Sequence, residues 1–312
     1  MEELTTFLTS IGEEVEDAEE ECFLLFAQEI PSANLGFVDS RATSVDVTIH
    51  GQDYTIHQSP TLLSSSRAGG TTGAVLWKIT PLLAEWLSKK TNPLWHHGLL
   101  TPSSPVVELG CGISGLIALT LSPSITHYIA TDQEYVHRLL RQNLAANVRT
   151  TPTPKSSKST RGKQKIPKAP SRSNITFTTL DWETDAPEAL KDCIEGEGNG
   201  ARDEDRGFDV LISCDCIYNE ALVGPFVRTC RDVCRSRPVY CAEREGEARE
   251  RRRPTVCIIA QQQRSPEVFE VWLREALRVF RVWRVSDEVL GGKLAAGSGY
   301  LVHVLVLRKG DS

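Results

Sequence analysis

Residues 106–115 read Val-Val-Glu-Leu-Gly-Cys-Gly-Ile-Ser-Gly, with glycines at the spacing G-x-G-x-x-G after an apolar run. A strand followed by such glycines and then a helix turns tightly, and its backbone can approach a ligand without a side-chain clash. The spacing alone also fits a dinucleotide site. Three further features narrow the chemistry. Glu108 stands just ahead of the first glycine, where a carboxylate opposes a pyrophosphate but suits an ammonium. Asp132 ends the next apolar run, in Ala-Thr-Asp, where a carboxylate can accept both hydroxyls of a ribose. The run ending at residue 214 continues Asp215-Cys216-Ile217-Tyr218-Asn219. That polar and aromatic cluster falls at the carboxyl end of a strand, where open α/β sheets bind ligands. A nucleoside bearing an amino-acid ammonium, as in S-adenosylmethionine, meets these demands together.

Blander readings of the same residues exist. Asp132 can serve as an N-cap for a helix beginning near Glu134, and Asp215 as a cap of its own. Tyr218 can be a core ring with a satisfied hydroxyl, and Trp77 and Trp182 can be core. An oxidoreductase could use the same glycines, but no Tyr-x-x-x-Lys pair follows. The strand before Cys216 does not end in Asn/Asp-Pro-Pro-aromatic, which disfavours planar amide or nucleobase nitrogens as acceptors.

The elements that must position these residues follow from periodicity. Strands are expected over PVVELG, HYIATD, NITFTTLDW, FDVLISCD and PTVCIIAQQ, with helices between them. Two more strands, 282–289 and 300–307, are joined by a glycine-rich connection with no helix. Alternating strand and helix predicts a parallel, doubly wound sheet, and the final pair predicts an antiparallel hairpin at one edge. Residues 44–57 alternate as a hairpin turning at Gly51-Gln52-Asp53, and Thr80 is placed to cap a helix carrying Pro81 in its first turn. The domain reading is an N-terminal extension over 1–70 and a catalytic domain over 71–312. Solvated insertions are expected at 149–173, 191–206 and 242–253. The first insertion is Lys-rich and can serve as a nuclear signal or contact a ribonucleoprotein.

The chain has 312 residues, 40% hydrophobic and 24% charged, with a net charge of -6. That length supports a sizeable core. The acidic balance argues against nucleic acid as a direct partner, and no apolar run approaches the roughly 20 residues of a membrane span. The acidic first residues are unlike a secretory or mitochondrial signal. The nine cysteines lack C-x-x-C pairs or a nearby histidine pair, so reduced thiols and no metal site are expected.

Taken jointly, these motifs resemble the class I protein-lysine methyltransferases grouped as methyltransferase family sixteen, from about Gly69 to Leu307 apart from the insertions. The resemblance rests on GAVLWKITPLLAEWL, ELGCGISG, Asp132, Leu180-Asp181-Trp182 and Asp215-Cys216-Ile217-Tyr218. It implies a Rossmann-like, seven-stranded class I methyltransferase fold and S-adenosylmethionine as cofactor. Trp77, Glu108, Leu109, Gly110, Gly112, Asp132, Trp182 and Cys214 would lie at that cofactor, and Asp215 and Tyr218 at the target amine. The GGTTG lead into Trp77 and the residues 218–227 are similar to those of the fungal ribosomal lysine methyltransferases of the fifth type. That similarity implies a lysine of a large-subunit ribosomal protein as substrate, and a monomer acting in the cytoplasm or nucleus. A different protein acceptor, such as a histidine, and a non-catalytic assembly factor of the same fold are the alternatives.

Overall fold

In a computed structural model, the described residues are 2–31, 35–65, 70–147, 173–194, 206–240, 252–295 and 297–308. The amino-terminal elements are α1 (Glu2–Ile11), β1 (Gly12–Val15), α2 (Ala18–Phe26), β2 (Ser44–Ile49), β3 (Gln52–His57), α3 (Pro60–Leu63), α4 (Ile79–Ser88) and α5 (Pro93–His96). The alternating region follows as β4 (Pro105–Leu109), α6 (Leu116–Leu121), β5 (His127–Asp132), α7 (Glu134–Asn147), β6 (Ile175–Thr179), β7 (Val210–Cys214), α8 (Glu220–Arg235), β8 (Val256–Gln262) and α9 (Pro266–Val279). The chain closes with β9 (Phe280–Val285), α10 (Asp287–Leu290) and β10 (Tyr300–Leu307).

Eight strands form one sheet in the order β1-β9-β10-β8-β7-β4-β5-β6. Strands β4 to β8 are mutually parallel, while β10 runs antiparallel to both β8 and β9. The expected doubly wound, mostly parallel sheet with an antiparallel carboxy-terminal pair is therefore present. Its order reverses at β4: the chain proceeds outward through β5 and β6, then returns to place β7 and β8 on the other side. Such a switch point opens a crevice at the carboxyl ends of the strands.

Alternate residues of the strands face two cores, as the two-residue repeat requires. Val106, Tyr128, Val210, Ile258 and Val304 pack with α1, α4, α6 and α7; Val107, Ile129, Leu211, Ile259 and Leu305 pack with α2, α8 and α9. Near-continuous apolar strands follow from burial on both faces.

Several local expectations are corrected. An eighth strand, β1, comes from the acidic amino terminus and occupies the edge, so the β9–β10 pair is not the border of the sheet. Gly-Glu-Glu-Val carries no alternation that marks a strand; it is fixed by register against β9 and by an ion pair between Glu14 and Arg281. β9 begins at Phe280, before the expected 282. It stops at Val285, where the Ser286 N–H donates to the Ile11 carbonyl at 2.7 Å and the one-turn helix α10 follows. The hairpin turns at His50-Gly51, with φ of 50° and 74°. Both residues are left-handed, as in a turn whose twist matches the strands, and Gln52 instead pairs with Ile49. Helix α4 begins at Ile79, ahead of Thr80; the Thr80 hydroxyl accepts instead from the Cys214 thiol at 3.8 Å. The three insertions lie outside the described residues except at their ends. No helix among the described residues is long and apolar enough to cross a membrane.

Candidate functional site

The loop after β4 holds Gly110, Gly112 and Gly115 at φ of 72°, 59° and 58°, values that L side chains rarely adopt. The Gly110 and Cys111 amides both donate to the Thr131 carbonyl, at 2.9 and 3.0 Å, which pins the loop across the end of β5. A Cβ at Gly110 would come within 2.4 Å of the Cys216 sulfur and 3.4 Å of the Trp182 ring. The loop, the residues after β7 and the Trp182 indole are thus packed to the limit a glycine permits.

Two carboxyls face this loop. Glu108 is buried and accepts a hydrogen bond from the Tyr128 hydroxyl at 2.7 Å. Burial pushes its carboxyl up to about 7, with Tyr128 opposing the shift and the charge of Asp132 adding to it. Asp132 accepts from the Gly112 amide at 2.8 Å and from the Gln133 amide at 2.7 Å. Burial raises it to about 6 against those two bonds. A buried and a partly buried acid, both with raised proton affinity and with no basic side chain bonded to them among the described residues, form an electrostatic deficit that a cationic group would fill. Each Asp132 oxygen also keeps acceptor capacity for a hydroxyl.

The other wall is aromatic and held by a strap at residues 70–73. The Trp77 indole N–H donates to the Thr72 carbonyl at 3.0 Å, the Thr72 hydroxyl donates to the Tyr218 oxygen at 3.1 Å, and the Gly73 amide donates to the Tyr135 oxygen at 3.2 Å. Trp182 packs edge-on to Phe226 at 5.1 Å. Tyr218, 39% exposed, stands at the mouth, and burial of its ring raises its hydroxyl. Cys214 and Cys216 are pushed up by burial, so neither presents a thiolate near neutral pH.

Asp215 takes a left-handed backbone, φ 62°. This is uncommon away from glycine and is tolerated best by Asn and Asp. The Asp215 carboxylate accepts the Gln262 amide at 3.1 Å and Arg264 Nη2 at 2.5 Å. It does not cap α8; Asn219 does, accepting the Ala221 amide at 3.1 Å.

These groups surround a cleft of about 370 Å³ at the switch point. Of the residues singled out by sequence, Trp77, Glu108, Gly110, Gly112, Asp132, Trp182, Cys214, Asp215 and Tyr218 line it. Leu109 does not. It is fully buried on the opposite face of the sheet, because successive strand residues point to opposite faces, and only its carbonyl serves the region, accepting from Ser213 and Cys216. Sequence reasoning missed Tyr128, Tyr135, Thr72, Gln262 and Arg264. The rule that placed the site at strand ends also covers the residues after β8, and would have reached Gln262 and Arg264.

The cleft volume falls within the range of small-molecule sites, and its acids, glycines and aromatic walls match a nucleoside with a cationic end. Comparison with known proteins agrees. The chain is 30% identical over 216 residues to a ribosomal lysine N-methyltransferase 5 of Candida glabrata, covering 58% of this chain and 60% of that protein. It is also 30% identical over 251 residues to the protein of the same name from Zygosaccharomyces rouxii, covering 72% and 70%. A diaminohydroxyphosphoribosylamino-pyrimidine deaminase of Schizosaccharomyces pombe is 37% identical over 134 residues, covering 43% of this chain and 32% of that protein. The chain thus spans less than two thirds of the first and third of these relatives. The profile of a family described as lysine methyltransferase matches residues 56–253, more than half of the sequence and all of the cleft. The chain belongs to that lysine methyltransferase family.

Proposed function

We propose that this protein is an S-adenosylmethionine-dependent protein-lysine N-methyltransferase and that its substrate is a lysine of a large-subunit ribosomal protein. The observation that carries the reaction is the joining of buried Glu108 and partly buried Asp132, both charge-deficient, to a glycine cradle and to Asp215 and Tyr218 in one cleft. The named relatives carry the substrate class. When bound, S-adenosylmethionine supplies an electrophilic methyl on a sulfonium.

The chain's own residues bind, orient and exclude water. Glu108 would receive the amino-acid ammonium, directly or through a water. Asp132 would accept ribose hydroxyls with the lone pairs left free by Gly112 and Gln133. Trp182 would hold the adenine, the Gly110 and Gly112 backbone permits close approach, and Trp77 would close the side held by the strap. Asp215 binds and aligns the lysine amine, and Tyr218 walls its channel. Alignment and desolvation carry the rate, with about 7–11 kcal/mol available from positioning in favourable cases. No covalent enzyme intermediate is required. The protein would act as a monomer in the cytoplasm, where ribosomal proteins are made.

The direct test incubates purified protein with radiolabelled S-adenosylmethionine and a lysate from cells lacking it. A labelled large-subunit protein carrying methyl-lysine is the expected result. Label on a different protein would remove the ribosomal substrate, and cofactor binding without label would favour a non-catalytic role.

A further inference from the structure

Arg264 follows β8 and does not itself line the cleft, yet it touches two residues that do. Its Nη2 reaches Asp215 Oδ2 at 2.5 Å and Gln262 Oε1 at 2.9 Å, and its guanidinium carbon lies 4.5 Å from the centre of the Trp77 ring. Its Nη1 is buried and has no hydrogen-bond partner among the described residues. Stability is a poor reason for this arrangement. Burying an ion pair costs desolvation that apolar replacements avoid, an orphaned donor adds to that cost, and Asp215 also bears a left-handed backbone. All of this converges on the carboxylate set against the target amine.

We infer that Arg264 is a positioning residue that keeps the amine delivered to Asp215 in its neutral, nucleophilic form. The inference rests on the lysine methyltransferase reading of the cleft. A lone carboxylate within about 4–6 Å of an amine favours the ammonium and raises its pKa above the usual value of about 10.4, and an ammonium has no lone pair to offer. Paired with a guanidinium, Asp215 still accepts an N–H, but its pull on the proton is offset. Arginine suits this task because it does not itself deprotonate. The amine gives its proton to water before its lone pair takes the methyl; the electron pair of the broken C–S bond stays on sulfur.

Among the described residues, the other titratable groups facing the pair are Tyr300 from β10, Tyr218, and the thiols of Cys214 and Cys216 at the end of β7. Burial raises all four, Tyr300 to about 12, so they stay neutral through the working range. Glu108 and Asp132 are the carboxyls beyond the thiols.

The test measures initial rates from pH 6.5 to 9.5 with tritiated S-adenosylmethionine and acid-extracted large-subunit ribosomal proteins from cells lacking this protein. In Arg264→Gln the acid limb of kcat should move up by about one pH unit while KM for the extract does not rise. Arg264→Lys, which keeps the charge, should hold the limb near its original position. Calorimetric titration with S-adenosylhomocysteine should show unchanged affinity in both. An unmoved limb in Arg264→Gln, or the same displacement in Arg264→Lys, overturns the inference. Should Arg264→Gln lose S-adenosylhomocysteine binding through misfolding, Asp215→Asn replaces it. A guanidinium without its carboxylate should move the limb down, and an unmoved limb there overturns the inference as well. Absence of lysine label with the original protein would bring down the functional reading and this inference together; label with unmoved limbs removes the inference alone.

Discussion

At the residue scale, Glu108 gives the protein a distinctive pH response. Its carboxyl titrates near 7 in the fold against a reference of 4.5. A raised carboxyl binds more protons folded than unfolded between those values, so its contribution to stability is full below about 4.5 and is lost as pH rises through 7. A ligand cation beside it reverses the preference and expels the proton. Affinity for S-adenosylhomocysteine, which carries the same ammonium, should therefore rise between pH 6 and 8. Calorimetric titration in buffers of different ionisation enthalpy should show proton release on binding. Glu108→Gln should flatten the pH dependence and weaken binding at pH 8 at least tenfold; an unchanged slope would exclude Glu108 as the ammonium site. Gly110 makes a second prediction. Gly110→Ala forces a side chain into φ 72° and to within 2.4 Å of the Cys216 sulfur. It should lower that affinity more than tenfold, with a smaller loss in Gly110→Ala/Cys216→Ala as binding isotherms report it.

The glycines, Glu108 and Asp132 were legible in the sequence because backbone demand and charge type leave local traces. Leu109 misled because adjacency in sequence is opposition across a sheet. The position of Arg264 at a strand end was within reach of the sequence, but its contact with Asp215 was not: that contact depends on β7 and β8 being neighbours, which sequence spacing does not show.

At the element scale, the amino-terminal hairpin is attached to the body of the main sheet through two asparagines of α7. Asn143 and Asn147 lie one turn apart on one helix face. Asn143 accepts the His57 amide at 2.8 Å and donates to the carbonyls of His57 at 2.9 Å and Ile113 at 2.7 Å. Asn147 accepts the Thr55 amide at 3.0 Å and donates to the Thr55 carbonyl at 2.9 Å. The helix face thus satisfies the free edge of β3, and Asn143 also fixes the glycine loop. Asn143→Ala leaves the part-buried His57 amide and carbonyl and the buried Ile113 carbonyl without this partner, which should cost about 2–4 kcal/mol in urea unfolding and weaken binding of S-adenosylhomocysteine. A loss confined to stability would separate the hairpin from the ligand loop. Hairpin alternation was visible in the sequence, as were the apolar strands. The attachment was not, because an asparagine within a helix looks like a merely polar residue until the partner strand is in place.

At the scale of the whole molecule, residues 2–26 wrap one border of the sheet and join both of its faces. Leu4, Phe7, Leu8 and Ile11 of α1 enter the core on one side, β1 adds a strand in the plane, and Val15, Ala18, Cys22 and Leu25 enter the core on the other. The acidic composition concealed this: glutamates face outward or pair with Arg281 and Arg284 of β9, while the apolar residues between them change sides across a four-residue strand. Removing residues 2–26 would strip apolar cover from both cores at once and leave β9 an open edge with unpaired backbone groups, a setting that favours aggregation. The truncated chain should be poorly soluble, and whatever remains soluble should unfold at a temperature well below that of the full chain, by circular dichroism. Phe7→Ala, which deletes one fully buried ring, should remain soluble and cost about 3–5 kcal/mol. Because the cleft lies at the switch point beside β4 and not at this border, Phe7→Ala should bind S-adenosylhomocysteine as the intact protein does at temperatures where both are folded. A truncated chain that melts like the full protein would mean that the border is closed by other residues and that the amino terminus is an ornament of the fold.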